Sequence, residues 1–98
     1  NRWKGKLLNI HPSLLPKYKG LNTHKRAINS GDIIHGCSVH FINSELDSGK
    51  VILQKRIKIL EDDTPQTLSE RLLVKELEAY PQALKIVADE LISSKKTI

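Results

Sequence analysis

Ninety-eight residues, 39% of them hydrophobic and four of them proline, suit one globular domain near the lower limit for a self-sufficient core. One cysteine excludes an internal disulfide and fits a reducing compartment, with the cytoplasm as default; no apolar run could cross a bilayer, and nothing resembles a signal peptide. The formal charge of +5 would attract RNA or an anionic small molecule, but the basic residues are scattered and only one Phe, one Trp and two Tyr could stack on bases, so nucleic-acid binding is not the expected role.

The chain starts at Asn1 with no methionine and enters a strand almost at once, as a piece of a longer protein would. Lys6 to Ile10 reads as a short buried strand, its end marked by His11-Pro12. A loop follows from Pro12 to Leu21, stiffened by Pro12 and Pro16 and released by Gly20. Asn22 or Thr23 can cap a short helix through Ile28, which Gly31 ends. From Gly36 to Ile42 the residues alternate, Cys37, Val39 and Phe41 on one face and Ser38, His40 and Ile42 on the other, which predicts a strand. After a turn-rich stretch from Asn43 to Gly49, Val51 to Ile59 returns as its antiparallel partner. Thr64-Pro65 then opens a helix, with Thr64 as N-cap and Pro65 at the first helical position, and Glu61-Asp62-Asp63 adds negative charge at that helix end. Leu68, Leu72 and Leu73 begin an apolar stripe reaching Tyr80, and Pro81 is expected to kink or divide the element before Leu84, Val87, Ala88 and Leu91. The tail from Ser93 is polar and expected to fray. Strand, helix, strand, strand, helix, helix is an α/β order.

Asn9 and His11 fall at the carboxyl end of the first strand, the edge at which open α/β sheets bind ligands. Both can donate hydrogen bonds to a developing oxyanion; equally, both could serve only to tie down the proline-rich loop. Asp47, in the turn between two strands, is either an Asx cap or a carboxylate that orients His11, favours its charged form and relays a proton. His35, Cys37 and His40 have the letters of a metal site, but strand alternation points the third away from the first two, and Cys37 runs in phase with the core. Ser38 and His40 share a face and could line a pocket. Glu76 lies on the apolar side of its helix, where an acid either grips something polar or reaches past the helix edge to solvent.

Four stretches in order, Asn9-Ile10-His11-Pro12-Ser13-Leu14-Leu15-Pro16 with Tyr18 and Gly20, His35 to Phe41, Glu45-Leu46-Asp47-Ser48-Gly49, and Glu76 with Tyr80-Pro81, resemble the folate-dependent formyltransferase family. The match runs from about Leu7 to Leu84. Leu21-Asn22-Thr23-His24 after Gly20 is similar to the purine-synthesis branch rather than to the methionyl-tRNA branch, although Asn22 and Leu77 stand where relatives often carry histidine.

The resemblance implies a Rossmann-like formyltransferase fold, of which residues 1–98 would be the carboxyl-terminal half as a single domain fragment: a short parallel strand, an antiparallel strand pair and flanking helices. The phosphate-binding half would lie upstream, and the fragment alone would be inactive. It also implies transfer of a formyl group from 10-formyltetrahydrofolate, a co-substrate, to the amine of glycinamide ribonucleotide, with no metal, no nucleic acid and no membrane involved, and it leaves room for a homodimer. Asn9, His11 and Asp47 would be catalytic; Leu7 and the loop of Asn43, Ser44, Glu45, Leu46 and Asp47 would form the folate pocket. His11, Pro12 and Glu76 would bind the ribonucleotide, Glu76 through the ribose hydroxyls. The alternatives are formyl transfer to another amine, such as methionyl-tRNA, and a non-catalytic basic module that binds RNA.

Overall fold

Three strands and two helices follow one another as β1 (Leu8–His11), α1 (Thr23–Asn29), β2 (Ile34–Phe41), β3 (Val51–Lys58) and α2 (Pro65–Lys96) in the computed structural model, which describes residues 8–42 and 50–96. The strands form one sheet in the order β1-β2-β3. β2 and β3 are the expected antiparallel pair, running from Ile34 opposite Lys58 to His40 opposite Val51. β1, expected as a parallel strand, pairs antiparallel with β2, Leu8 opposite Phe41 and His11 opposite Ser38. The link through one loop and the short α1 brings the chain back reversed, and no parallel neighbour of β1 lies among the described residues.

The two faces of β2 are buried by different means. Cys37 and Val39 point into the core with Leu8, Leu72, Ala79, Ala83 and Val87, and Ile10, Phe41, Leu53 and Ile57 close around them. Period two on the strands meets the α2 stripe at helical spacing, so the apolar alternation alone sets this layer. On the opposite face, Gly36 and Ser38 lie under the loop that follows β1. Ser38 Oγ donates to the Ser13 carbonyl at 2.7 Å and accepts from the Leu15 amide at 3.0 Å and from Gln54 Nε2 at 3.1 Å, which fills its one donor and two acceptor positions. Gln54 Nε2 also donates to the Leu15 carbonyl at 3.0 Å. A Cβ on Gly36 would run into the Lys55 carbonyl oxygen and lie 2.6 Å from Leu14 Cδ2, so glycine is what lets the loop settle on the sheet.

α1 is capped differently at its two ends. Asn22 holds the N-cap position with φ 59°, a left-handed conformation that asparagine tolerates, and makes no side-chain capping bond. At the other end Gly31, at φ +73°, completes a Schellman motif: its amide donates to Ile28 and the Asp32 amide donates to Ala27.

α2 begins as expected. The Thr67 amide donates to Thr64 Oγ1 and the Thr64 amide to Thr67 Oγ1, a reciprocal capping box, while the Asp63 carboxylate accepts from the Leu60 amide, from Thr67 Oγ1 and from Arg71. Of the two outcomes expected at Pro81, division does not occur, since α2 runs through it, and the polar tail is helical to Lys96 rather than frayed. Pro81 is exposed, so water can take the bond that its ring removes, and adding residues to an existing helix costs little compared with nucleating one. No helix among the described residues is long and apolar enough to cross a membrane.

Candidate active site

β1 alternates across the sheet, so Asn9 and His11 share one face, Asn9 opposite His40 and His11 opposite Ser38. Asn9 is exposed, and His11, the last residue of the strand, is buried at 5% exposure. The chain turns at once, the Ser13 amide donating to the His11 carbonyl at 2.9 Å, and the Lys17 amide closes a second turn on Leu14. That path brings the Tyr18 carbonyl 2.8 Å from His11 Nε2. A carbonyl has no hydrogen to give, so Nε2 must carry the proton and donate it. A cavity of ≈ 520 Å³ opens beside the imidazole, lined by His11, Pro12, Gly20, Leu21, Asn22, Thr23 and His24.

His11 and Pro12 line this cavity, and Asn9 lies exposed on the same face of β1 as His11. Ser38 does not line the cavity; the loop uses it as an anchor. His40 is buried, its Nδ1 donating to the Phe41 carbonyl at 3.0 Å. His35 and Cys37 face α2 while His40 faces the loop, so the three do not converge. Leu7, Asn43, Ser44, Glu45, Leu46 and Asp47 lie outside the described residues.

Glu76 is half-buried on the inner stripe of α2 between Leu72 and Ala79. Burial raises its pKa, and the Cys37 thiol, pushed up to about 11 mainly by burial, feels its negative charge as well. Cys37 and His11 point to opposite faces of the sheet. Glu76 is not among the residues that line the cavity beside His11.

Several residues at the site were not singled out for it by pattern. Tyr18 Oη donates to Asp32 Oδ2 at 2.6 Å, and Lys17 Nζ lies 3.4 Å from the same oxygen. His24 Nδ1 and His35 Nε2 are 3.1 Å apart with their rings edge to face. Burial is the first cause lowering the His35 pKa to about 4; His24 lowers it further and Asp32 opposes. The one available signal was the glycine at 31, whose helix-ending role fixes where Asp32 emerges.

A buried strand-end histidine lining a cavity, on a sheet backed by one long helix, marks an α/β domain with a candidate site at the strand end. Residues 1–84 match the formyl transferase family, and the chain belongs to it. It is 54% identical over 88 residues to a trifunctional purine biosynthetic protein adenosine-3 of Chironomus tentans, covering 90% of this chain and 6% of that one. It is 49% identical over 84 residues to a phosphoribosylglycinamide formyltransferase of Haemophilus influenzae, covering 86% and 40%. The crystal structure of phosphoribosylglycinamide formyltransferase from Anaplasma phagocytophilum superposes with a TM-score of 0.84 at 42% identity, over 91% of this chain and 44% of that one. The chain thus spans well under half the length of the relatives that it matches.

Proposed function

We propose that this chain supplies the His11-bearing part of the active site of a phosphoribosylglycinamide formyltransferase, which moves a formyl group from 10-formyltetrahydrofolate to the amine of glycinamide ribonucleotide. The observation that carries the reading is the buried, hydrogen-bonded His11 at the strand end, opening on a cavity, in a chain 49% identical to a relative of that name. The amine attacks the formyl carbon, and negative charge grows on the formyl oxygen. His11 and Asn9 hydrogen-bond that oxygen. As the tetrahedral species collapses, the bond to the folate nitrogen breaks, and the proton lost by the attacking nitrogen goes to that leaving nitrogen, with Asp47 as the relay. Leu7 and the 43–47 loop enclose the folate, Pro12 borders the glycinamide, and Glu76 takes the ribose hydroxyls. A ribonucleotide extended around the end of β1 is compatible with Glu76 lying on the α2 side.

The test is formyl transfer by the full-length protein, with glycinamide ribonucleotide and methionyl-tRNA offered in parallel. Glycinamide ribonucleotide should be formylated, and His11→Ala and Asp47→Asn should each lower kcat by roughly 10²- to 10⁴-fold. Their losses should not multiply, because groups acting as a unit are non-additive. Preference for the tRNA, or a His11→Ala enzyme with intact turnover, would overturn the reading.

A further inference from the structure

We propose that Tyr18 and Asp32 form a strut that positions His11, so that the imidazole is aimed through its Nε2 hydrogen bond to the Tyr18 carbonyl. The inference rests on His11 being catalytic, and its test separates the two claims.

The strut starts in the backbone. Tyr18 has φ 54°, a left-handed conformation that is uncommon for a bulky residue. Such a conformation persists only where surroundings hold it, and it is often found where geometry serves function. The residue's main chain and side chain are each committed. Its carbonyl accepts from His11 Nε2 at 2.8 Å, and its hydroxyl donates to Asp32 Oδ2 at 2.6 Å. A bond of that kind to a carboxylate is roughly twice as strong as a neutral one. The Asp32 carboxyl is held below the usual carboxylate range, first by the Tyr18 hydroxyl and further by Lys17, against the opposing effect of burial, so it stays ionised where the enzyme would work.

The ring is held as well. The Arg26 guanidinium carbon lies 5.2 Å from the Tyr18 ring centroid, within cation–π range, and its Nη1 donates to the Lys19 and Leu21 carbonyls at 2.7 and 3.1 Å. Arg26 belongs to α1, and Asp32 follows the glycine that ends α1. Arg26 of α1 thus holds the Tyr18 ring and the loop after it, Asp32 holds the Tyr18 hydroxyl, and their position passes to one carbonyl oxygen.

The consequence for His11 is chemical. An acceptor at Nε2 fixes the tautomer with the proton there, and it orients the ring whether or not a carboxylate is near. With the Nε2 hydrogen committed to the Tyr18 carbonyl, a hydrogen bond from His11 to the oxyanion must come from a protonated Nδ1. Sequence reasoning gave this orienting task to Asp47; the Tyr18 carbonyl already performs it, which leaves Asp47 for proton transfer.

The experiment is ¹⁵N-histidine NMR on the full-length protein with steady-state kinetics on Tyr18→Phe, Asp32→Ala and Asp32→Asn. The wild type should show a protonated His11 Nε2 whose hydrogen exchanges slowly with water. In Tyr18→Phe and Asp32→Ala that signal should be lost to exchange. In both, kcat should fall by about ten- to a hundredfold, the scale of a catalytic group misplaced by an ångström, with the KM of either substrate little changed. Asp32→Asn keeps an acceptor for the tyrosine hydroxyl and should recover part of the loss. Tyr18→Phe should cost nothing more on the Asp32→Ala background or on the His11→Ala background. A wild-type His11 without a protonated, protected Nε2 overturns the strut even if every variant fails to fold. So does a folded Tyr18→Phe with normal kcat, or one that raises KM alone. Normal turnover in His11→Ala would instead remove the catalytic reading of His11, whatever Tyr18 does.

Discussion

His24 and His35 share one hydrogen bond, in which one ring nitrogen must donate and the other accept. Protonating both rings would place two hydrogens in a 3.1 Å gap, next to a His35 that is buried at 1% exposure. Folding thus lowers the His35 pKa from 6.5 to about 4, and burial lowers that of His24 too. The unfolded chain binds more protons in that window, so stability is complete above about pH 6.5 and declines as pH falls toward 4. Glu76 acts the other way, since its pKa is raised by burial and its protonation favours the folded state. Asp32 and Asp63, both with lowered pKa values, lose their contributions only below the ordinary carboxylate range. The expected outcome is a Tm that falls between pH 6.5 and 4 in the wild type and falls less in His35→Gln; parallel curves for the two proteins would contradict it.

β2 is the element on which everything else is laid. Its core face needs apolar residues, while its other face needs a glycine and a small hydroxyl because a loop rather than a helix rests there. Gly36→Ala should therefore displace Leu14 or spread β2 from β3, since the added methyl meets backbone on one side. Overpacking of this kind costs about 1–3 kcal/mol. Chemical denaturation of the full-length protein would measure the loss, and an unchanged midpoint would mean that the loop does not seat as described. Because the displaced Leu14 belongs to the loop that carries Tyr18, kcat should fall along with stability.

At the scale of the whole molecule, the described residues form a three-stranded sheet with β1 at one edge, and α2 exposes Leu73, Leu77 and Leu84 at spacings of four and seven. An exposed apolar stripe and a strand edge without a partner among the described residues both invite association. The relatives compared above are more than twice as long as this chain, and the prediction is that the additional length covers both features. Residues 1–98 expressed alone are therefore expected to self-associate and to unfold without a sharp transition, whereas the full-length protein is expected to stay soluble and to melt cooperatively. Sedimentation and thermal melts would check this. A cooperative melt from a monomer of residues 1–98 would show that the three-stranded unit is self-sufficient.

Local rules reached far in this chain. Period-two alternation located β2 and β3 and assigned Cys37 to the core; Thr64-Pro65 marked the start of α2 and Gly31 the end of α1, because caps and pleats depend on neighbours within a few residues. The strand-end position of His11 and Asn9 was legible for the same reason, and the motif order was specific enough to point to the family. Pairing was not. That β1 runs antiparallel to β2, that Pro81 leaves α2 whole, and that Ser38 anchors a loop instead of lining a pocket all depend on groups many residues away. The link from His11 to Tyr18 and on to Asp32 belongs there too: seven and fourteen residues separate the bonded partners, and no periodicity relates them. Sequence by itself determined the family and which elements carry Asn9, His11 and Glu76. Tertiary structure alone decided which acceptor holds the imidazole, because a hydrogen bond is set by a few tenths of an ångström that only the folded loop supplies.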